Sequence, residues 1–395
     1  MKFTFILFLS LLVSTVGKAQ KKFTFNQGRA EKKAYYEEIA YENFGPYLIV
    51  PVEIGGKIRK FLWDTGMPVS LTKKLAAELG QQAVTEVPVR DANGKIDTLG
   101  AMVLKELKIG HTVFREIPAL MVSDSVIFFD CMGIEGVIGS NMLRKSVVQF
   151  RPDERKIILT DDIKKVNLQG SKPLDMYLAG IQSNPLITVK LKDKVSIRLL
   201  FDSGSNRLLE LTEGNYREIQ EKWPGIVDSL AAGRGAIGMG LLGSGKDAKQ
   251  YAFETDLHLG KTVIQDLKAF TMEDKISRLG VRLLDYGRVT MDYRKVRFYF
   301  TPFAGKEVKS QVRIFPITPL PEKNRVEVGM VWGNDFPDIA PGDTILEING
   351  VNVEHMERCD FFREWVKMNV DSREKCMLRI RNRAGEIRQL ELIPL

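Results

Sequence analysis

The feature that most constrains this chain is an internal repeat. Three segments of the first half recur, in the same order, in the second half. The matched pairs are 47–72 with 186–212, 104–122 with 254–272, and 136–159 with 277–300. Ordered matches separated by small insertions indicate a duplicated structural unit. The sequence therefore predicts two similar lobes within 395 residues, a length that leaves room for a further domain.

The repeated segments have the pattern of β-strands. Apolar and polar residues alternate in short runs, and turn signals such as Gly55-Gly56 and Asp193-Lys194 separate these runs. Helical pattern is sparse in the two copies, with one short stretch in each, at 71–80 and 215–223. We therefore expect a mainly β chain with two barrel-like lobes that form a pseudo-dimer.

Each copy places an aspartate at the end of an apolar strand, as Asp64 in Asp-Thr-Gly and Asp202 in Asp-Ser-Gly. Two carboxylates a few ångströms apart share one proton, so that the ionised one can activate water while the protonated one hydrogen-bonds a carbonyl. Such a pair titrates as a unit, and neither role is assigned to one aspartate. The residues predicted to support the pair are Thr65 and Ser203, whose hydroxyls can reach the other lobe, and Gly66 and Gly204, which permit close backbone approach.

These motifs resemble those of the pepsin-like and retropepsin-like aspartic peptidases, in particular the bacterial secreted two-lobe type. The resemblance covers about residues 45–300, and it is most specific at FDSGSN (201–206) and at the hydrophobic-hydrophobic-Gly element GVIG (136–139). It implies retropepsin-like lobes, a catalytic Asp64/Asp202 dyad, and peptide or protein as the substrate. It also implies endopeptidase activity that requires no metal or other cofactor.

The same family covers its substrate with β-hairpin flaps. In the first lobe the candidate is 89–99, centred on Asp91, Asn93 and Gly94, and in the second it is 233–246, which includes Gly238 and Gly240. A flap tip needs such mobile residues to act as a lid. The alternatives are an ordinary hairpin turn for the first segment and a disordered loop for the second.

Two arginines motivate a second hypothesis from another functional class. Arg278 stands where the family has an apolar residue before Gly280, and Arg207 follows Asp-Ser-Gly closely. An arginine near the dyad favours ionised carboxylates and opposes proton sharing. The alternative is therefore a non-catalytic pseudo-peptidase that binds peptides in the cleft between the lobes. A third option is that lobes pair between two chains.

Residues 325–395 form a third unit of different pattern. The run PGDTILEINGVNV (341–353) resembles bacterial PDZ domains, and a helix is expected from about 355 to 370. The resemblance implies an α+β domain that binds a peptide by strand addition, and a scaffold or docking role is the alternative. The predicted boundaries are 20–165 and 166–303 for the lobes, 304–324 for a Pro- and Lys-rich linker, and 325–395 for the PDZ-like domain.

The N-terminus has the pattern of a secretory signal peptide over residues 1–19, with an apolar run before Gly17-Lys18-Ala19. We therefore expect a periplasmic or extracellular protein with no integral membrane segment after cleavage.

The formal charge of +8 is modest and the basic residues are scattered, which argues against a nucleic acid partner.

The three cysteines have no metal-binding spacing. An oxidising compartment would permit a bridge between Cys359 and Cys376, with Cys131 as a buried thiol.

Overall fold

The computed structural model describes residues 23–236, 238–245, 247–303, 305, 307–368 and 373–395. The predicted signal peptide at 1–19 lies outside the described residues. So do positions 237 and 246 of the second predicted flap, positions 304 and 306 of the predicted linker, and the last two positions of the helix predicted to reach 370. Within the described ranges, no helix is long and apolar enough to cross a membrane.

The first half of the repeat is almost entirely strands. Its elements are β1 (Arg29–Ala30), β2 (Tyr36–Ala40), β3 (Glu42–Phe44), β4 (Tyr47–Ile54), β5 (Lys57–Asp64), β6 (Ser70–Thr72), α1 (Lys73–Glu78), β7 (Thr85–Arg90), β8 (Ile96–Ile109), β9 (Thr112–Val122), α2 (Ile127–Met132), β10 (Gly136–Gly139), α3 (Ser140–Leu143), β11 (Val147–Arg151) and β12 (Lys156–Thr160), with 3-10 turns at Pro152–Glu154 and Ile163–Lys165.

The second half follows the same plan. Its elements are β13 (Leu174–Ala179), β14 (Asn184–Leu191), β15 (Val195–Asp202), β16 (Leu209–Thr212), α4 (Glu213–Lys222), β17 (Asp228–Gly235), β18 (Met239–Gly240), β19 (Gly243–Ser244), β20 (Ala248–Leu259), β21 (Thr262–Met272), β22 (Arg278–Gly280), β23 (Gly287–Asp292) and β24 (Arg297–Pro302), with a 3-10 turn at Val281–Asp285.

Both halves close into barrel-like lobes with the same strand order. In lobe one, pairing runs β4-β5-β10-β6-β9-β8 and returns to β4 through Glu53 opposite Lys108. In lobe two, it runs β14-β15-β22-β16-β21-β20 and returns to β14. Helices α1 and α4 begin at the same place in each lobe, because Thr72 and Thr212 cap them by accepting a hydrogen bond from a backbone N–H. The predicted fold class, mainly β with two similar lobes, is confirmed.

A shared sheet joins the two lobes. Its strands run in the order β2-β12-β11-β23-β24-β13, with three from each half, and the halves meet where β11 pairs antiparallel with β23. Above it lies a row of buried aromatic rings, Trp63, Phe150, Phe201 and Phe298, with successive centroids 6.3, 5.9 and 5.5 Å apart in edge-to-face contact. Each such pair contributes about 0.5–1.5 kcal/mol beyond its buried area. Because Trp63 and Phe201 directly precede the two aspartates, this packing anchors the ends of β5 and β15.

The C-terminal part is an α+β module. It is preceded by β25 (Glu307–Lys309), which pairs in parallel with β21 of lobe two. The elements of the module are β26 (Ile317–Pro321), β27 (Val326–Trp332), β28 (Thr344–Ile348), β29 (Val351–Asn352), α5 (Arg358–Met368), β30 (Cys376–Arg381) and β31 (Ile387–Leu392). The segment predicted as a linker, 304–324, contains the strands β25 and β26. Pro319 and Pro321 are compatible with a strand here because β26 lies beside β27 alone in the recorded pairings, as an edge strand would.

The module is attached to both lobes. Strand β27 pairs antiparallel with β17 of lobe two, with Gly233 opposite Trp332. A β-carbon on Gly233 would lie 2.7 Å from the Trp332 ring and 2.7 Å from the Val331 carbonyl, so glycine is required for this approach. In lobe one, Cys131 of α2 forms a disulfide with Cys359 of α5.

This disulfide corrects two cysteine predictions. Cys131 is not a buried thiol, and Cys359 is bonded to Cys131 rather than to Cys376. Cys376 is the free cysteine and lies in the apolar core of the module. Cys359 lies on helix α5 where it meets α2, and the α-carbons of Cys131 and Cys359 are 4.7 Å apart, within the range a disulfide needs. The pairing follows from the docking of the module on lobe one.

Candidate active site

The two predicted aspartates end equivalent strands. Asp64 is the last residue of β5 and lies opposite Gly139 of the parallel strand β10. Asp202 is the last residue of β15 and lies opposite Gly280 of the parallel strand β22. The sequence elements 136–139 and 278–280 therefore flank the two aspartates in the same register. This placement sets both carboxyl groups at the junction of the lobes.

The hydroxyl residues after the aspartates interlock across this junction. Thr65 Oγ1 accepts a hydrogen bond from Ser203 N (3.0 Å) and donates to Phe201 O (2.6 Å). In return, Ser203 Oγ accepts from Thr65 N (3.1 Å) and donates to Trp63 O (2.9 Å). Both side chains are fully buried. Two reciprocal pairs of hydrogen bonds thus fix one aspartate loop against the other.

The two glycines bring each loop against the opposite carboxyl group. Gly66 N donates to Asp64 Oδ1 at 2.7 Å, and Gly204 N donates to Asp202 Oδ1 at 2.9 Å. A β-carbon on Gly66 would lie 2.5 Å from the Asp202 carboxyl carbon, and one on Gly204 would lie 2.2 Å from Asp64 Oδ2. No larger residue fits at either position without displacing a carboxylate.

The carboxyl groups form an electrostatically coupled pair. Asp64 is 9% exposed and Asp202 is 7% exposed. Burial, then the charge of Asp202 and a hydrogen bond to its carboxyl, raise the pKa of Asp64 well above its ordinary value of 3.8. A raised pKa in one member of a close acidic pair is what a shared proton produces. The arrangement can therefore present one ionised and one protonated carboxyl to the same water molecule.

Arg207 and Arg278, which prompted the pseudo-peptidase hypothesis, differ in what their guanidinium groups contact. Arg207 stacks over the ring of Phe270, with its guanidinium carbon 4.7 Å from the ring centroid. Arg278 is buried, its Nε lies 3.5 Å from Asp202 Oδ2, and its Nη2 donates to Asp274. Only one of the two arginines therefore contacts a dyad carboxylate in the recorded ion pairs.

The predicted flap residues meet above the dyad. Asp91 is 5% exposed, and its Oδ1 accepts from the backbone N–H groups of Asn93 and Lys95, which closes the turn between β7 and β8. Its Oδ2 accepts from Leu242 N, 3.0 Å away in the other segment, and Asn93 Nδ2 donates to Gly243 O at 3.0 Å.

The predicted glycines serve the turns and the contact between them. Gly94 and Gly238 have φ of +73° and +78°, which favours glycine. A β-carbon on Gly240 would lie 2.3 Å from Asp91 Oδ2. The two tips are therefore in direct contact, and Ser244 of the second tip also donates to Glu322 Oε1, between β26 and β27 of the module.

A cavity of about 740 Å³ extends from the dyad to the module. Its lining includes Asp64, Asp202, Val89 and Leu241 under the flap tips, and Leu320 and Trp365 between β26 and α5. Its volume lies within the range of sites that bind drug-sized ligands.

One supporting residue, Ser140, was not predicted from the sequence. Ser140 Oγ donates to Thr65 O at 2.6 Å and so helps to fix the loop that follows Asp64. The repeat has Val281 at the corresponding position, so symmetry gave no signal for Ser140.

A comparison with known protein families matches part of the first lobe. Residues 50–142, which include Asp64, Thr65 and Gly66, match the aspartyl protease family model. No curated protein matches this chain. Among solved structures, it is similar to a retropepsin-like aspartic protease from Rickettsia conorii, with 22% identity, a TM-score of 0.25, and coverage of 34% of this chain and 94% of that one.

It is also similar to Basic 7S globulin from soybean, with 9% identity, a TM-score of 0.39, and coverage of 68% of this chain and 95% of that one. The family match over residues 50–142 supports a peptidase, a hydrolase, as the general class of this chain.

Proposed function

We propose that this protein is an aspartic endopeptidase that hydrolyses peptide bonds with a water molecule activated by Asp64 and Asp202. The observation that carries the proposal is the interlocked pair of loops, which holds two buried, coupled carboxyl groups at the floor of a covered cleft. One carboxylate accepts a proton from water as the water attacks the scissile carbonyl. The protonated partner hydrogen-bonds the carbonyl oxygen as negative charge develops on it.

Two further features support export to an oxidising compartment. The segment 1–19 has the pattern of a signal peptide, and Cys131 and Cys359 are paired in a disulfide, which favours a periplasmic or extracellular setting.

We also propose that the C-terminal module holds part of the same substrate. The cleft continues from the dyad into the groove between β26 and α5, and an edge strand such as β26 can pair with an extended peptide. The resemblance of residues 341–353 to PDZ domains points in the same direction.

The test of the main proposal is digestion of a peptide library across acidic to neutral pH, read by mass spectrometry. We expect internal cleavage that a hydroxyl-containing transition-state mimic blocks and that chelators and serine- or cysteine-directed reagents leave unchanged. Binding of the mimic or of library peptides without any cleavage would instead support the pseudo-peptidase.

The contact between the flap tips provides a further prediction. Asp91→Ala removes the carboxylate that closes one turn and accepts a hydrogen bond from Leu242 N of the other tip. Hydrogen bonds to charged groups contribute about 1.5–3 kcal/mol each. We expect KM for a cleaved peptide to rise by roughly tenfold or more, with a smaller change in kcat, measured by steady-state kinetics. Asp97→Ala is the matched control, because Asp97 is exposed on the same hairpin and bonds only Thr98 N in the recorded contacts. Equal effects of the two substitutions on KM would contradict a role for Asp91 in holding the two tips together.

A further inference from the structure

Arg278 breaks the symmetry of the site. In the parallel pairings beside the aspartates, Val137 lies opposite Leu62 and Arg278 lies opposite Leu200, each two residues before its aspartate. Val137 and Arg278 therefore occupy equivalent positions of the two lobes. One lobe places an apolar side chain there, and the other places a buried cation.

The surroundings of Arg278 direct its charge toward Asp202. Its Nε is buried, has no recorded hydrogen-bond partner and lies 3.5 Å from Asp202 Oδ2. Its Nη2 donates to Asp274, whose Oδ1 lies 3.8 Å from Arg90 Nε on β7. Despite burial, which opposes ionisation, the charges of Asp202, Glu210 and Asp274 raise the pKa of Arg278 above its ordinary value. The guanidinium is therefore charged whenever the dyad is.

Resting on the proposed function, we propose that Arg278 is a positioning residue that keeps the shared proton on Asp64 and makes Asp202 the carboxylate that accepts a proton from water. Asp64 then donates the hydrogen bond to the scissile carbonyl. The guanidinium itself exchanges no proton with the substrate. The directions of proton movement, left open by the symmetry of the two motifs, follow from this one side chain.

The proposal has a consequence for pH dependence. Hydrolysis requires the dyad with one proton, so activity rises as the first proton leaves and falls as the second leaves. A cation beside the dyad stabilises both negatively charged forms, so Arg278 moves both limbs of the profile to lower pH. The charged and titratable groups that share this region are Asp64, Asp202, Arg207, Glu210, Asp274, Tyr47 and Arg90. Of these, Asp274 pairs directly with Arg278 and weakens its effect on the dyad.

The test compares the pH profile of kcat/KM for the wild type with those of Arg278→Met, Arg278→Lys and Asp274→Asn. We expect Arg278→Met to shift both limbs of the profile to higher pH by roughly one to three units. Arg278→Lys keeps a cation at this position and should leave both limbs close to their wild-type pH values. Asp274→Asn should move both limbs downward, because it removes a negative charge and leaves the cation less neutralised. A purely structural role would lower the rate of Arg278→Met without moving either limb.

A second readout is independent of turnover. In protein labelled with ¹³C at aspartate carboxyl carbons, with Asp64→Asn and Asp202→Asn used for assignment, the Asp64 carbon should report the protonated form where the Asp202 carbon reports the ionised form. Arg278→Met should make the two titrate more alike. An unchanged proton distribution in a folded Arg278→Met variant overturns the inference, even if peptides are cleaved. Failure of the wild type to cleave any peptide overturns the proposed function and leaves this readout to decide the role of Arg278.

Discussion

Asp64→Asn is expected to lower the rate of peptide hydrolysis by roughly 10²–10⁴-fold, the usual contribution of general acid–base catalysis. An amide can neither accept the proton of water nor share a proton with Asp202. Its oxygen can still accept the hydrogen bond that Gly66 N donates to Asp64 Oδ1, so the loop should keep its shape. Asp202→Asn should have an equal effect, because the carboxyl groups act as a pair. The measurement is kcat/KM for one cleaved library peptide at the pH of maximal wild-type activity.

Asp64→Asn should also increase the free energy of unfolding at neutral pH. Burial raises the pKa of Asp64 above its ordinary value of 3.8, so the native state holds a proton that the unfolded chain releases above that pH. Wild-type stability therefore declines as pH rises from 3.8 through the raised native pKa. Asp64→Asn lacks this contribution, and its free energy of unfolding should exceed that of the wild type at neutral pH and approach it as pH falls. A variant that is less stable at neutral pH would show that its lost activity reflects damage to the fold.

Thr65→Val should be the most damaging conservative substitution in the site. It removes the hydroxyl that accepts from Ser203 N and donates to Phe201 O, and both backbone groups are at the buried junction of the lobes. Leaving two buried groups without partners costs about 2–6 kcal/mol in the free energy of unfolding. A shift of about 1 Å between the carboxyl groups would lower kcat by roughly 100-fold. Denaturant unfolding and steady-state kinetics measure the two effects.

Thr65→Ser is the matched control because it keeps the hydroxyl and loses only a methyl group. It should retain most of the stability and of the activity. The interlock would be unimportant for the geometry of the dyad if Thr65→Val and Thr65→Ser behaved alike in both measurements.

Much of this architecture could be predicted because the duplication is visible as matching segments of the sequence. The alternating runs before Asp64 and Asp202 predicted the strands β5 and β15, and the repeat predicted that both lobes contain them. The fold class follows from these local patterns. The mainly β character and the two similar lobes were accordingly predicted correctly.

The features that could not be predicted from the sequence depend on contacts between segments that are far apart in the chain. The attachment of β27 to β17 explains why Gly233 is a glycine, yet nothing near Gly233 specifies that partner. The disulfide between Cys131 and Cys359 spans 228 residues, and it exists because α2 and α5 meet. Arg278 was noticed as a departure from an apolar pattern, but only the fold shows that its Nε lies beside Asp202 Oδ2 rather than beside solvent.

The most direct test of the central claim compares Asp64→Asn, Asp202→Asn and the double variant on one cleaved peptide. If the two aspartates act as one proton-sharing unit, each single substitution removes nearly all catalysis and the double variant loses no more than either single one. Losses that multiply in the double variant, or a single variant with activity close to that of the wild type, would contradict the dyad.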